Sequence, residues 1–140
     1  LDLRVDEIVL ADSTGMASPH SIQEICARVI ELANGTPLIL HLHDTEGKGL
    51  ANVLAALTLG INHFDTTFGG MGGCPFIKGA SGNIATEDLV WMLSQMGIDT
   101  GIDADKIAAI SRELEAFFKK PFAGKMHLLL ARDDIQLLRP

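Results

Sequence analysis

The sequence predicts an α/β protein in which three parallel strands alternate with helices, as in a β/α barrel or a doubly wound sheet. Three observations carry that expectation. Short apolar runs alternate with stretches of helical periodicity, turn-forming Gly, Pro, Asp and Ser mark the junctions, and polar side chains capable of chemistry follow each apolar run. In such folds ligands bind beyond the carboxyl ends of the strands, so the polar segments are expected to gather on one side.

Taken in order, Ile8-Val9-Leu10-Ala11 is the first strand and Asp12-Ser13-Thr14-Gly15 its loop. Ser18-Pro19 starts a helix, with proline in the first turn where its missing N–H costs nothing. Ile22, Ile25, Cys26 and Val29 give that helix an apolar face. The second strand is Pro37-Leu38-Ile39-Leu40, running into His41-Leu42-His43. The loop 44–49 follows, then a helix on which Leu50, Ala51, Val53, Leu54 and Leu57 recur at helical spacing. In the third unit Ile61 to Phe68 reads as strand, Gly69 to Gly82 as a long loop, and about Asn83 to Met96 as a helix closed by Gly97. A last helix carries Ile107, Ile110, Leu114, Phe117 and Phe118 and stops at Lys119-Lys120 before Pro121. The apolar tail from Met126 to Ala131 is expected to cover a neighbouring surface, with a subunit contact as the working reading.

The stretch from His41 to Glu87 concentrates the chemistry. Residues two apart on a strand share a face, so His41 and His43 can reach one ion. Neutral imidazole is a common ligand for divalent metals, although two strand-end histidines bonded to backbone would look the same in sequence. Asp12 caps nothing obvious, because its helix starts at Ser18, although loop aspartates commonly bond backbone amides in turns. Asn83 is well placed as an N-cap, with Glu87 and Asp88 favouring the helix dipole behind it. On the third strand His63, Asp65 and Thr67 share a face; Asp65 fits a support for the histidines and a structural aspartate equally well. Cys74, between Gly73 and Pro75, has no apolar face to occupy, whereas Cys26 reads as a small core residue. Lys48 and Lys78 stand in loops where they could meet phosphates or a carboxylate, or simply be solvated. The run Gly69-Gly70-Met71-Gly72-Gly73 lacks the order of a nucleotide-binding phosphate loop.

HLHDTEGKGLANVLAAL followed by DTTFGGMGGCPFIKGASGNIATEDL resembles the 3-hydroxy-3-methylglutaryl-CoA lyases of the DRE-TIM metallolyase superfamily, from Ile8 to about Phe117. The resemblance implies a partial (β/α)8 TIM barrel, the last three β/α units plus a C-terminal helix. Residues 1–140 would then form the C-terminal part of a single barrel domain whose N-terminal strands are absent. It implies that His41, His43 and Asn83 bind a divalent cation, Mg2+ or Mn2+, that Asp12 and His41 act in proton transfer at the substrate hydroxyl, and that Cys74 returns a proton to the departing acetyl-CoA carbanion. The implied reaction is a retro-Claisen cleavage of an acyl-CoA substrate, in the complete barrel. Chemically, a cation on the hydroxyl oxygen lowers its pKa, and a loop thiol suits delivery of the second proton. The family's arginine and metal-binding aspartate from the first strand have no counterpart here, so the alternative is a catalytically silent fragment or interaction subunit. Phe68, Gly69 and Gly49 depart from the residues usual in the family and could resize the acyl pocket toward a related 3-hydroxyacyl-CoA. A condensing synthase is the third reading, and the cysteine loop counts against it.

Composition limits the partners. In 140 residues, 47% are hydrophobic and 21% charged, enough for a core. A net charge of −7 argues against nucleic acid, whose binding rests on phosphate neutralisation. No apolar run reaches the length of a membrane span and no signal peptide is visible, so no membrane partner is expected. Two cysteines make no disulfide framework. The expectation is a homo-oligomer, a dimer, for the complete protein, in a bacterial cytoplasm or a mitochondrion.

Overall fold

The computed structural model describes residues 5–73 and 80–132. The chain divides into two compact units, Leu1–Asp65 with Gly73–Gly82, and Thr66–Gly72 with Asn83–Pro140.

The first unit is a three-stranded parallel sheet with two helices. β1 (Ile8–Asp12), β2 (Leu38–Leu42) and β3 (His63–Asp65) lie in that order. The register sets Ala11 beside His41 and His41 beside Asp65, while Asp12 stands beside Leu42. Alternation along β2 therefore does two jobs. Leu38, Leu40 and Leu42 are buried, together with Ile22 and Cys26 of α1 (Pro19–Ala33) and Val53, Ala55 and Ala56 of α2 (Gly49–Leu57). Ile39 and His41 belong to the opposite, more open face. Burial pushes the Cys26 thiol above its ordinary value, in keeping with a small core residue.

Helix α1 begins where the serine-proline pair places it. Ser18 Oγ accepts from the Ser21 N–H at 3.2 Å and Ser21 Oγ accepts from the Ser18 N–H at 2.9 Å, a reciprocal cap on an otherwise open helix end. Asn34 ends it in the left-handed conformation, φ 50°. Ser18→Ala is expected to cost about 1 kcal/mol, measured as a lower urea midpoint at unchanged m-value.

The second unit contains a 3-10 turn at Phe68–Gly70, α3 (Thr86–Gln95), α4 (Ala104–Phe118) and the short α5 (Met126–Leu129). Two expectations are corrected here. The third strand stops at Asp65 instead of running to Phe68, because Gly69 and Gly70 take positive φ angles of 61° and 73° that no strand accommodates. Thr67 forms an isolated parallel bridge with Ala85, donating to the Ile84 carbonyl at 3.1 Å and accepting from the Thr86 N–H at 2.9 Å. Asn83 is not the N-cap of the following helix: Ala85 holds that position and makes no side-chain cap bond.

At the start of α4, Asp103 accepts from the Asp105 and Lys106 backbone N–H groups, each at 3.1 Å. The Lys106 N–H bond, foremost, holds the Asp103 carboxyl below its ordinary value. A depressed carboxylate stabilises the fold above its unfolded-state pKa and loses that contribution as pH falls through the folded value. The Asp103 carboxyl carbon should therefore titrate below the ordinary aspartate range in an NMR pH series, and α4 should fray only below it. The apolar tail folds back as α5: Met126 and His127 are buried within the unit, and the Asp88 carboxylate accepts from the Lys125 and Met126 N–H groups. Among the described residues no helix is long and apolar enough to cross a membrane.

Candidate metal and active site

The end of β2 brings two imidazoles together. His41 Nε2 and His43 Nε2 stand 3.3 Å apart, as their two-residue spacing on one strand face predicts. His43 is buried, and the His41 side chain is one-third exposed. A nitrogen pair at this separation suits two ligands of one ion, since cis nitrogens about 2.1 Å from a shared centre lie roughly 3 Å apart. On its other side, His41 Nδ1 lies 3.5 Å from Asp65 Oδ2. Asp65 thus stands where alternation along the third strand allowed it to be, and it belongs to the histidine site.

Asn83, in the second unit, has a different task from capping. Its Nδ2 donates to the Met71 carbonyl at 2.9 Å, while Oδ1 is buried with no hydrogen-bond partner among the described residues. A Cβ on Gly72 would come within 2.5 Å of that Nδ2, so glycine is required for the amide to settle there. A buried amide oxygen left bare is costly, and a hard oxygen ligand for a divalent cation is one way such an atom is satisfied. An amide oxygen is the kind of donor that Mg2+ and Mn2+ favour, whereas the two imidazoles are nitrogen donors of a broader range of divalent metals. Among the described residues no group of three or more His, Cys, Asp or Glu side chains forms a metal cluster.

Asp12 does have a local role. Its carboxylate accepts from Thr14 Oγ1 at 3.1 Å, the Gly15 N–H at 2.9 Å and the Ala17 N–H at 3.0 Å, folding the loop that leads into α1. The register with Leu42 also sets it on the strand face opposite His41. Lys48 is engaged too, donating to the Met16 carbonyl and pairing with Glu46. Cys74 and Lys78 lie outside the described residues. Two acidic residues carry more structure than their spacing suggests. Asp44 Oδ1 accepts from the Gly49 N–H at the start of α2, at 2.6 Å. Glu87, expected only to favour a helix dipole, is fully buried, with both oxygens accepting from the Gly69 N–H. Alternation signalled Asp65, but no local pattern distinguishes Glu87 from an ordinary first-turn glutamate.

A family model described as HMGL-like matches residues 2–114. The chain belongs to the HMGL-like family. It is 43% identical over 121 residues to a (R)-citramalyl-CoA lyase of Chloroflexus aurantiacus, covering 86% of this chain and 38% of that protein. It is 48% identical over 101 residues to the cytoplasmic 3-hydroxy-3-methylglutaryl-CoA lyase of Rattus norvegicus, covering 72% of this chain and 29% of that one. The fold matches part of the barrel of the HMG-CoA lyase of Bacillus subtilis, with a TM-score of 0.88 at 35% identity, covering 94% of this chain and 44% of that structure. An HMG-CoA lyase from Acinetobacter baumannii, solved with coenzyme A and 3-methylmalate, matches with a TM-score of 0.81 at 46% identity, covering 89% of this chain and 41% of that structure. The chain therefore spans less than half the length of each of these relatives.

Proposed function

We propose that this chain forms the C-terminal three β/α units of a metal-dependent barrel lyase that cleaves a 3-hydroxyacyl-CoA by a retro-Claisen reaction, releasing acetyl-CoA. The observation that carries the reading is the convergence of His41 Nε2 and His43 Nε2 at the end of β2, in a member of the HMGL-like family. His41, His43 and Asn83 would hold the cation. When bound, it lowers the pKa of the substrate's tertiary hydroxyl and polarises that oxygen as a Lewis acid.

The chain's own residues supply the rest. The Met71 carbonyl fixes the Asn83 amide by accepting from Nδ2, which leaves Oδ1 as the ligand atom. Asp12 and His41 serve the transfer of the hydroxyl proton, a role supported by the resemblance of the surrounding motifs to the lyases. Asp12 accepts from Thr14 and Gly15 at Oδ1 and from Ala17 alone at Oδ2, so Oδ2 keeps a lone pair for that transfer, offered from the strand face opposite His41. Its replacement should disturb loop and turnover together. Cys74 is assigned the return of a proton to the departing carbanion, a task that fits a thiol whose ordinary pKa lies near neutrality. Substrates of the relatives named above differ in what C3 carries, and the similarity to a citramalyl-CoA lyase favours testing both acyl groups.

The test is acetyl-CoA release from 3-hydroxy-3-methylglutaryl-CoA and from citramalyl-CoA in the presence of Mn2+, by this chain alone and in the full-length protein. The expected result is turnover in the full-length protein and little in the 140-residue chain. It should be lost with Cys74→Ala, and fall at least tenfold with Asp12→Asn, the usual scale of a lost proton-transfer group being about 100-fold or more. Metal-dependent binding without release of acetyl-CoA from either substrate would favour a silent subunit.

A further inference from the structure

The geometry points to Asp65 as a positioning residue that fixes the ring tautomer and orientation of His41. This inference rests on the metal reading above. Three observations converge on it. Parallel pairing of β2 and β3 sets His41 and Asp65 side by side on one sheet face. Asp65 Oδ2 lies 3.5 Å from His41 Nδ1, and the other ring nitrogen, Nε2, faces His43 at 3.3 Å. Nδ1 thus faces a group that only accepts, while Nε2 faces a second imidazole whose role depends on its own tautomer.

A neutral imidazole carries one proton, on either nitrogen, and a carboxylate only accepts. A proton on Nδ1 points at Asp65 favourably and leaves a lone pair on Nε2, the form able to bind a cation. The other tautomer would aim the Nδ1 lone pair at the carboxylate and block Nε2 with hydrogen. At 3.5 Å the link is electrostatic, and a shift of about 0.5 Å would bring it within ordinary hydrogen-bond range. Carboxylates behind metal-binding histidines act in this way, and their loss commonly lowers metal affinity 10- to 100-fold. Asp65 is half exposed and His41 one-third, so solvent screening places the expected effect at the lower end, about tenfold.

The experiment compares wild type, Asp65→Ala and Asp65→Asn in the full chain. Long-range 1H–15N spectra of the histidine rings are recorded without metal, at a pH about 1.5 units above the ordinary imidazole value of about 6.5. Mn2+ affinity is measured by the EPR signal of the free ion. Wild type should show His41 protonated on Nδ1. Asp65→Ala should move the population toward Nε2–H and weaken Mn2+ about tenfold, whereas Asp65→Asn, whose amide oxygen still accepts, should keep the tautomer and recover much of the affinity. An unchanged His41 ring spectrum in Asp65→Ala overturns the inference. Failure of wild type to bind Mn2+ sinks the metal reading instead, and the ring spectrum then decides the role of Asp65 by itself.

Discussion

Replacing His43 with alanine is expected to weaken Mn2+ binding by well over 100-fold, more than the loss of any supporting residue. Outer partners of metal ligands are worth about 10- to 100-fold each, and a ligand should exceed them. His43 is buried, so its removal leaves a cavity beside His41 rather than a surface site that another side chain can readily reach. His41 would be left as a single nitrogen, and one imidazole holds Mg2+ or Mn2+ poorly because these ions favour oxygen. The control is His63→Ala. His63 shares the sheet face with Asp65 but pairs with Ile39, one layer away from His41, and it is exposed. Its loss should leave the affinity within about twofold of wild type, the scale of a surface change of ±0.5 kcal/mol. Equal Mn2+ binding by wild type and His43→Ala would sink the metal site, whatever the family relationship.

The sheet and the histidine pair were legible because both rest on a period of two. Leu38, Leu40 and Leu42 alternate with Ile39, His41 and His43, so the face that packs and the face that carries nitrogen separate in the sequence itself. The start of α1 was legible for a similarly local reason, since Ser18 and Pro19 act within one turn. Local pattern says least where a side chain bonds outside its own helical turn or where backbone angles are set by packing. Asn83 has the right chemistry for a cap, but the carbonyl it finds belongs to Met71, twelve residues earlier. Asp12 caps no helix, and its partners spread over the loop that follows it, the turn bonding that loop aspartates commonly make. The third strand ends at Asp65 although Thr66, Thr67 and Phe68 have strand-forming side chains. The glycines behind them decide the backbone, and their left-handed angles follow from packing that a propensity scale does not contain.

Glu87 is the clearest case of such a hidden role, and its replacement by alanine should be the most destabilising change in the second unit. Its two oxygens accept from the Gly69 N–H at 3.1 and 3.2 Å, and Oε1 lies 3.6 Å from Nδ1 of His127, which is itself fully buried. On the far side of that imidazole, Glu115 Oε1 faces Nε2 at 3.6 Å and accepts from the Phe122 N–H at 2.8 Å. Glu87→Ala removes the acceptor for a buried backbone donor, at a cost of about 1–3 kcal/mol, and leaves a cavity in place of Cγ, Cδ and both carboxylate oxygens. Gly69 cannot turn to another acceptor, since its φ of 61° and the close approach of Phe122 fix the turn where it is. A total loss of about 3–5 kcal/mol follows, against roughly 1 kcal/mol for Glu87→Gln, which keeps the volume and one accepting oxygen. Trp91, the only tryptophan, sits in α3 one turn from Glu87, so its fluorescence in urea reports on this unit. A midpoint for Glu87→Ala close to that of Glu87→Gln would mean that water or a neighbouring group satisfies Gly69, and that the carboxylate does not hold the turn.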